Sequence, residues 1–463
     1  KVDTTLPTVS VAITGEDGIQ NSFLNAGDNV SVTATFSETV NVSGSPTLTL
    51  VVGSDNRTAA YISGDNSTEL VFRYMIDATG TSGENDSNGI SIPENALALN
   101  SGTIRDAALN DAILTHSVVD NNSSYKVDTV LPTVSVAITG EDGKQNSFLN
   151  AGDNVSVTAT FSETVNVSGN PTLTLVVGDD NRTAAYTSGS GSTQLVFEYM
   201  ILATGTSGEN DSNGISIPEN ALALSNGTIR DPAHNNATLT HSAVSDNSSV
   251  KVDTTAPSVD NFTISDTEFK IGDNATVTLV FSEVVCGASS GCSLSQTGGT
   301  DFSNADITVP NLDSGPRTGI ASGTLTTMTS DDNETWRGTF TPATNAEDNS
   351  STLSLATTYT DLAGNNGPDN QTENFEIDTL APTVVNVAFS SELTEGRQIL
   401  SGYGFLNEGD NVSVTATFSE RVIVDNSSGP NPTITLVVGS DNRTATYTSH
   451  DNATLVFEYT IQA

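Results

Sequence analysis

Hydrophobic and polar residues alternate along short stretches of this chain, and the stretches return in the same order at a fixed interval. In the first 125 residues the alternation runs through Val9 to Ile13, Val30 to Phe36, Thr47 to Val52, Arg57 to Ile62, Leu70 to Ile76, Ala96 to Leu99 and Ile113 to Val118. A period of two puts successive side chains on opposite faces of an extended chain, so each stretch predicts a β-strand with one buried face. No helical period competes with it. The clusters between them, among them GEDG, SGSP, SGDN and GENDSNG, are rich in Gly, Asn, Asp, Ser and Pro and carry the turn chemistry that reverses a chain.

The interval is 125 residues. Pro7, Pro132, Pro257 and Pro382 stand in matching text, and a second marker opens at Gly27, Gly152, Gly272 and Gly409, reading GDNVSVTATFSE in three copies and GDNATVTLVFSE in the third. Fixed-period self-similarity is the mark of a tandem array. It divides the chain into 1–125, 126–250, 251–376 (a variant with two cysteines) and 377–463. The fourth keeps only the first half of the repeat and lacks what matches Gly80 to Tyr125, which reads as an excerpt of a longer chain, the other reading being that the missing half-domain comes from elsewhere. Seven short strands per unit predict an all-β chain: tandem immunoglobulin-like β-sandwich domains arranged as an elongated rod. The antibody-type Cys, Trp, Cys pattern is absent, since the chain has one tryptophan, Trp336, and two cysteines, Cys286 and Cys292.

Charge narrows the partners. Asp and Glu number 56 against 15 Lys and Arg, a formal net charge of -41. Most carboxylates therefore lack a basic partner and must be hydrated, shielded by glycans or neutralised by cations. Nucleic acid and anionic membranes are poor partners, because binding either relies on clustered Lys and Arg that this chain lacks. No apolar run reaches the roughly 18 residues of a membrane helix, and no leader opens the sequence, so membrane insertion is not expected within this segment.

The texts VDTTxPT, GDNVSVTATFSE, NGISIPENALALNSGTI and LTHSVVDNNSSYKVDT resemble the bacterial Ig-like repeats of giant surface adhesins and biofilm-associated proteins. The resemblance covers nearly all of the first two units. The third departs after its FSE, through SDDNETWRGTFTP and YTDLAGNN, and is similar to a related Ig-like subtype; the fourth carries an insertion between Pro382 and Asp410. The resemblance implies an extracellular, calcium-stiffened rod on the cell surface, a stalk whose specific binding is done by other domains.

The carboxylates lead toward calcium by a separate route. Asp28 and Glu38 bracket one predicted strand of ten residues, roughly 30 Å at ~3.3 Å per residue, so they sit at opposite poles of the domain. Asp3, on the incoming strand, and Asp106, in the loop RDAALND, are expected at the pole of Glu38. The same trio recurs as Asp128, Glu163 and Asp231, and as Asp253, Glu283 and Asp361. Calcium takes six to eight oxygens, and polar loops can supply them. Glu16, Asp17 and Asp28 of the preceding domain, with Asp153 the counterpart of Asp28, would abut the cluster across the linker. The other reading is that these acids cap turns and strand ends by accepting backbone amides. Asp378 and Glu420 of the fourth unit predict an incomplete site.

Cys286 and Cys292 flank GASSG and predict a local disulfide, with two free thiols as the alternative, since two cysteines without further ligands are too few for structural zinc. N-x-S/T sequons number 23, split 7, 7, 5 and 4 over the units, roughly twice what composition alone gives. Asn29, Asn56, Asn85, Asn154, Asn181, Asn210, Asn274, Asn411 and Asn442 are candidates for N-linked glycans; Asn-rich turn composition is the other account.

Nothing supports catalysis. His116, His234, His241 and His450 belong to no triad, and no GxSxG, HExxH, P-loop or GxGxxG stands in a strand-to-helix context. Two readings remain. One is an extracellular stalk whose partners are the neighbouring Ig-like domains of the same chain. The other is a subunit of a glycosylated surface layer or filament that packs against copies of itself.

Overall fold

The structure is a computed structural model that describes residues 2–77, 84–203, 209–287, 302, 305–313, 317–390, 406–425, 427 and 429–463. Cys292 lies outside the described residues, whereas Cys286 is half of a disulfide. Among the described residues every regular element is a strand. They form two compact units: Lys1–Ala256 together with the loop Asp361–Asn365, and most of Pro257–Ala463.

In the first repeat the strands are β1 (Val9–Asp17), β2 (Phe23–Leu24), β3 (Asn29–Ser43), β4 (Thr47–Val52), β5 (Asp55–Ser63), β6 (Ser67–Met75), β7 (Asn85–Asp86), β8 (Leu97–Ala98), β9 (Thr103–Arg105) and β10 (Lys126–Asp128). One sheet runs β1-β3-β6-β5-β4-β8, with β9 paired to β3; the other runs β2-β10-β7. The alternation expected from sequence is visible in β3, where Val30, Val32, Ala34, Phe36 and Val40 face inward. They pack with Leu48, Leu50, Leu70, Phe72, Ile90, Ile92 and Ile104 into one core, the burial that holds a sandwich together.

Two expectations change. Ile113 to Val118 form no strand; the segment is tied down at its ends by single bridges, Thr8 to Ile113 and Ile92 to Val119. The repeat of the text and the repeat of the packing are also offset. Lys126–Asp128 stands at the start of the second repeat in the text, yet it pairs parallel with β2 and antiparallel with β7, and Val127 is fully buried in the first core. The second repeat duplicates this plan, and its core is closed in the same way by Val252.

The third repeat keeps the second-sheet motif, with Glu268–Phe269 and Glu347–Ser351 on either side of Phe375–Asp378, but fills its core with aromatic rings. Trp336 lies 4.8 Å from Phe302 between ring centroids, and Tyr359 lies 4.9 Å from Phe281. Such pairs contribute beyond their buried area. The fourth repeat is one five-stranded sheet, whose strand Val384–Phe389 is exposed along its length.

Candidate metal centre

The structure brings the predicted trios together. Asp3, Glu38 and Asp106 each offer a carboxylate oxygen within 4.8 Å of the others, and Asp128, Glu163 and Asp231 do the same. Each acid arrives by a different route. The linker residue ends the short strand that closes the preceding sandwich, as Asp128 ends β10. Glu163 stands in the counterpart of β3, Asn154–Ser168, where the ladder to its neighbour is irregular between Thr160 and Val165. It shares the inward parity of Val155, Val157, Ala159, Phe161 and Val165, so the alternation that builds the core also turns this carboxylate toward the core's edge.

The third acid is held by its own loop. Asp231 is fully buried; its Oδ1 accepts the Asn235 amide at 2.8 Å and its Oδ2 accepts Asn235 Nδ2 at 2.7 Å. That same Nδ2 also donates to the Asp128 carbonyl at 2.9 Å, which pins the linker to the loop. Asp106 and Asn110 repeat the arrangement, at 2.8 and 2.7 Å, with weaker bonds to the carbonyls of Asp3 and Thr5. Asp361 does so with Asn365, which reaches the Asp253 carbonyl at 2.9 Å. Glu283, the remaining member of that trio, belongs to the other compact unit. The linker acids cap turns as well: Oδ1 of Asp3, Asp128 and Asp253 each accepts the amide two residues on, at 3.0 Å.

Burial and the crowding of like charges shift these carboxylates. Burial, then the charges of Asp128 and Asp231, push Glu163 up to about 7. Burial and Asp231 raise Asp128, and burial, Asp3 and Asp106 raise Glu38. Asp106 is lowered instead: burial pushes it up, and the hydrogen bonds from Asn110 and the loop amides outweigh that.

The fourth repeat differs from expectation. Asp378 and Glu420 are joined by Glu347, which pairs with Asp378 across the second sheet of the third repeat. Burial, then Asp378 and Glu347, raise Glu420, and its Oε1 is buried without a hydrogen-bond partner.

The other acids proposed from sequence do not join the trios. Asp28 Oδ2 accepts the Asn25 amide and Asp153 Oδ2 the Asn150 amide, both at 2.8 Å, which are turn caps. Asp17 ends β1 opposite Asn29, and Glu16 bonds the hydroxyl of Tyr125. Arg57, Arg105, Lys144, Arg182 and Arg443 form ion pairs with acids outside the trios. An all-oxygen set of clustered carboxylates suits a hard cation such as calcium, and an orphaned buried oxygen at Glu420 fits the same demand. Of the sequon asparagines, Asn56, Asn85, Asn181, Asn210, Asn274 and Asn442 are exposed, and Asn29, Asn154 and Asn411 are half-buried.

Sequence reasoning missed three features. Asn110 and its counterparts were readable, since RDAALN, RDPAHN and TDLAGN share one Asp-to-Asn spacing. Glu347 replaces Asn85 of the first repeat at the position paired with the linker acid, a substitution visible only once register is known. The third is a buried carboxylate in each of the first two repeats. Glu84 bonds Arg57 and Tyr74, and its Oε2 accepts the Asp77 amide at 2.9 Å. Glu209 does the same with Arg182, Tyr199 and the Leu202 amide.

Paired sheets with this strand order, copied along the chain, define an all-β protein of tandem immunoglobulin-like sandwiches. Comparison with known families adds a narrower statement: residues 298–377 match the profile of a bacterial Ig-like domain. No curated protein sequence matches the chain. Among solved structures it is similar to the Escherichia coli adhesin FdeC, at 10% identity and a TM-score of 0.29, over 80% of this chain and 96% of that one. It is also similar to three N-terminal domains of the bacteriophage RB49 outer capsid protein Hoc, at 12% identity and a TM-score of 0.27, over 81% of this chain and 100% of that one. Likeness at these scores carries no argument about role. Among the described residues no helix is long and apolar enough to cross a membrane.

Proposed function

We propose that the chain is a non-catalytic structural segment of an extracellular cell-surface protein, an adhesin-like stalk of Ig-like domains stiffened by calcium. The domains are 1–125, 126–250, 251–376 and 377–463, the first two each closed by the first residues of the next stretch of text. The observation that carries the reading is the recurrence of one acid cluster at the linker, with Glu163 raised to about 7 by burial and by its two acidic neighbours. Asp128, Glu163 and Asp231 would hold the ion, as would Asp3, Glu38 and Asp106 in the first repeat. A bound divalent cation removes the repulsion and ties a linker residue, a core-strand residue and a loop residue to one point.

The test is thermal unfolding and small-angle scattering of the whole chain in millimolar calcium and then in EGTA. A higher melting temperature and a stiffer particle with calcium support the stalk. No change in either reduces the acids to turn caps.

A second reading is a glycosylated surface layer or filament that self-assembles. It is favoured by the exposure of Asn56, Asn181 and Asn442 at equivalent hairpins, where a glycan meets no obstruction. Intact-mass measurement on protein from the native source decides occupancy.

A further inference from the structure

A second set of contacts recurs within the first compact unit, which holds the first two sandwiches and the loop Asp361–Asn365, and it uses no charge. Asn21 Nδ2 donates to the carbonyl of Pro232 at 2.9 Å, and Asn25 Nδ2 to that of Ala233 at 2.7 Å. One repeat on, Asn146 Nδ2 donates to Leu362 at 3.0 Å and Asn150 Nδ2 to Ala363 at 2.9 Å. In both cases two side-chain amides from one turn meet two consecutive carbonyls, the pair that follows the buried aspartate of the loop.

Both partners are set before they meet. The donor turn is held by the cap from Asp28 to the Asn25 amide, and Asn21 and Asn146 sit in the left-handed region, at φ 51 and 48, which asparagine tolerates. The acceptor loop is braced by Asp231 with Asn235, or Asp361 with Asn365, and its next residue also has positive φ, 68 at His234 and 88 at Gly364. The recognised atoms belong to the backbone. The loop changes from Pro232 and His234 to Leu362 and Gly364 while the bonding stays the same. None of the four asparagines lies in a sequon, so no glycan competes for the amides.

We propose that these paired amides are a metal-independent lock that fixes the angle between successive sandwiches by reading two backbone carbonyls of the next domain's loop. The lock has a sequence code. In the third repeat the equivalent positions, aligned by the cap from Asp273 to the Lys270 amide, are Asp266 and Lys270, so that turn cannot present the amide pair. The first repeat therefore grips its successor by this means, and the turn of the third lacks the code. Individually such bonds are modest, but the linker holds the partners together at high effective concentration, so two of them are enough to favour the closed joint.

Spin labels on the exposed hairpin positions Ser54→Cys and Asp179→Cys report on the first joint in the whole chain, where Cys286 is already disulfide-bonded. In EGTA the distance distribution is expected to be narrow. In Asn21→Ala/Asn25→Ala it should broaden, with the open fraction rising about fivefold per lost bond, the equilibrium factor of a net hydrogen bond of ordinary strength. Asn146→Ala/Asn150→Ala, which leaves this joint intact, should not change it. A parent already broad in EGTA, or an unchanged distribution in the first double variant, overturns the lock. Broadening by Glu163→Gln in calcium with none from the asparagine variant assigns the joint to the metal alone.

Discussion

Each of the first two repeats has two acid sites, one buried inside the sandwich and one partly exposed at its pole, and the chain treats them in opposite ways. Glu209 is buried against Arg182, Tyr199 and a backbone amide, so its charge is neutralised within the domain. Asp128, Glu163 and Asp231 gather three carboxylates with no ion pair to a basic side chain, and burial, with the neighbouring acids second, raises Asp128 and Glu163. Arginine is scarce here, yet one is paired with the internal acid in each of the first two repeats, whereas the arginine next to the pole's loop acid bonds elsewhere, Arg105 to Asp111 and Arg230 to Asn236. The internal site is finished by folding; at the pole the proposed cation would supply the missing counter-charge.

The largest effect that could break this contrast is at the internal site. Arg182→Ala leaves Glu209 buried without a counter-charge and is expected to cost about 3 kcal/mol, the low end of the range for a buried pair because Arg182 is 27% exposed. Denaturant unfolding measures it, and a loss below about 1 kcal/mol would show that water reaches Glu209. Next comes the pole's own loop. Asp231→Ala removes two hydrogen bonds and should cost about 1–3 kcal/mol in EGTA, more in calcium, whereas Asp231→Asn keeps part of the cap and should lose mainly the calcium increment. Equal losses with and without calcium would make Asp231 a cap alone.

Smaller effects sharpen the comparison. Thr129 Oγ1 donates to the Glu84 carbonyl at 3.1 Å and accepts the Glu84 amide at 2.8 Å, so Thr129→Val should cost about 1 kcal/mol and loosen the linker from the finished site. The smallest is a pH slope. Between about 4.5 and about 7 the folded protein holds a proton on Glu163 that the unfolded chain has released. In EGTA, stability from this group is full below that window and is lost as pH rises through it. Glu163→Gln should flatten the slope and abolish the calcium response; a slope that survives the substitution would sink the assignment.

The pole was legible in sequence because its acids recur at one register in text that repeats almost letter for letter. The internal site was not, because Glu84 sits 27 residues from Arg57 inside a turn cluster that reads as solvent-exposed. The amides of Asn21 and Asn25 were hidden among many asparagines, and only three-dimensional placement separates a donor from a turn former. The last strand of each sandwich escaped notice for a different reason. Three residues show too little alternation to predict a strand, and the repeat in the text begins at the place where the packing ends.

That offset has a mechanical meaning. Lys126–Asp128 finishes one sandwich, Thr129 is fastened to Glu84, and the next sandwich resumes pairing at Val134, so hardly any slack chain lies between them. Tension arriving along the backbone is delivered directly to a strand paired on both sides, parallel with Phe23–Leu24 and antiparallel with Asn85–Asp86. Pulled along its length, that strand loads its hydrogen bonds together in shear and must drag Val127 out of the core before any link extends. In the proposed stalk, a joint of this kind would lengthen in whole-domain steps under force and hardly at all below it.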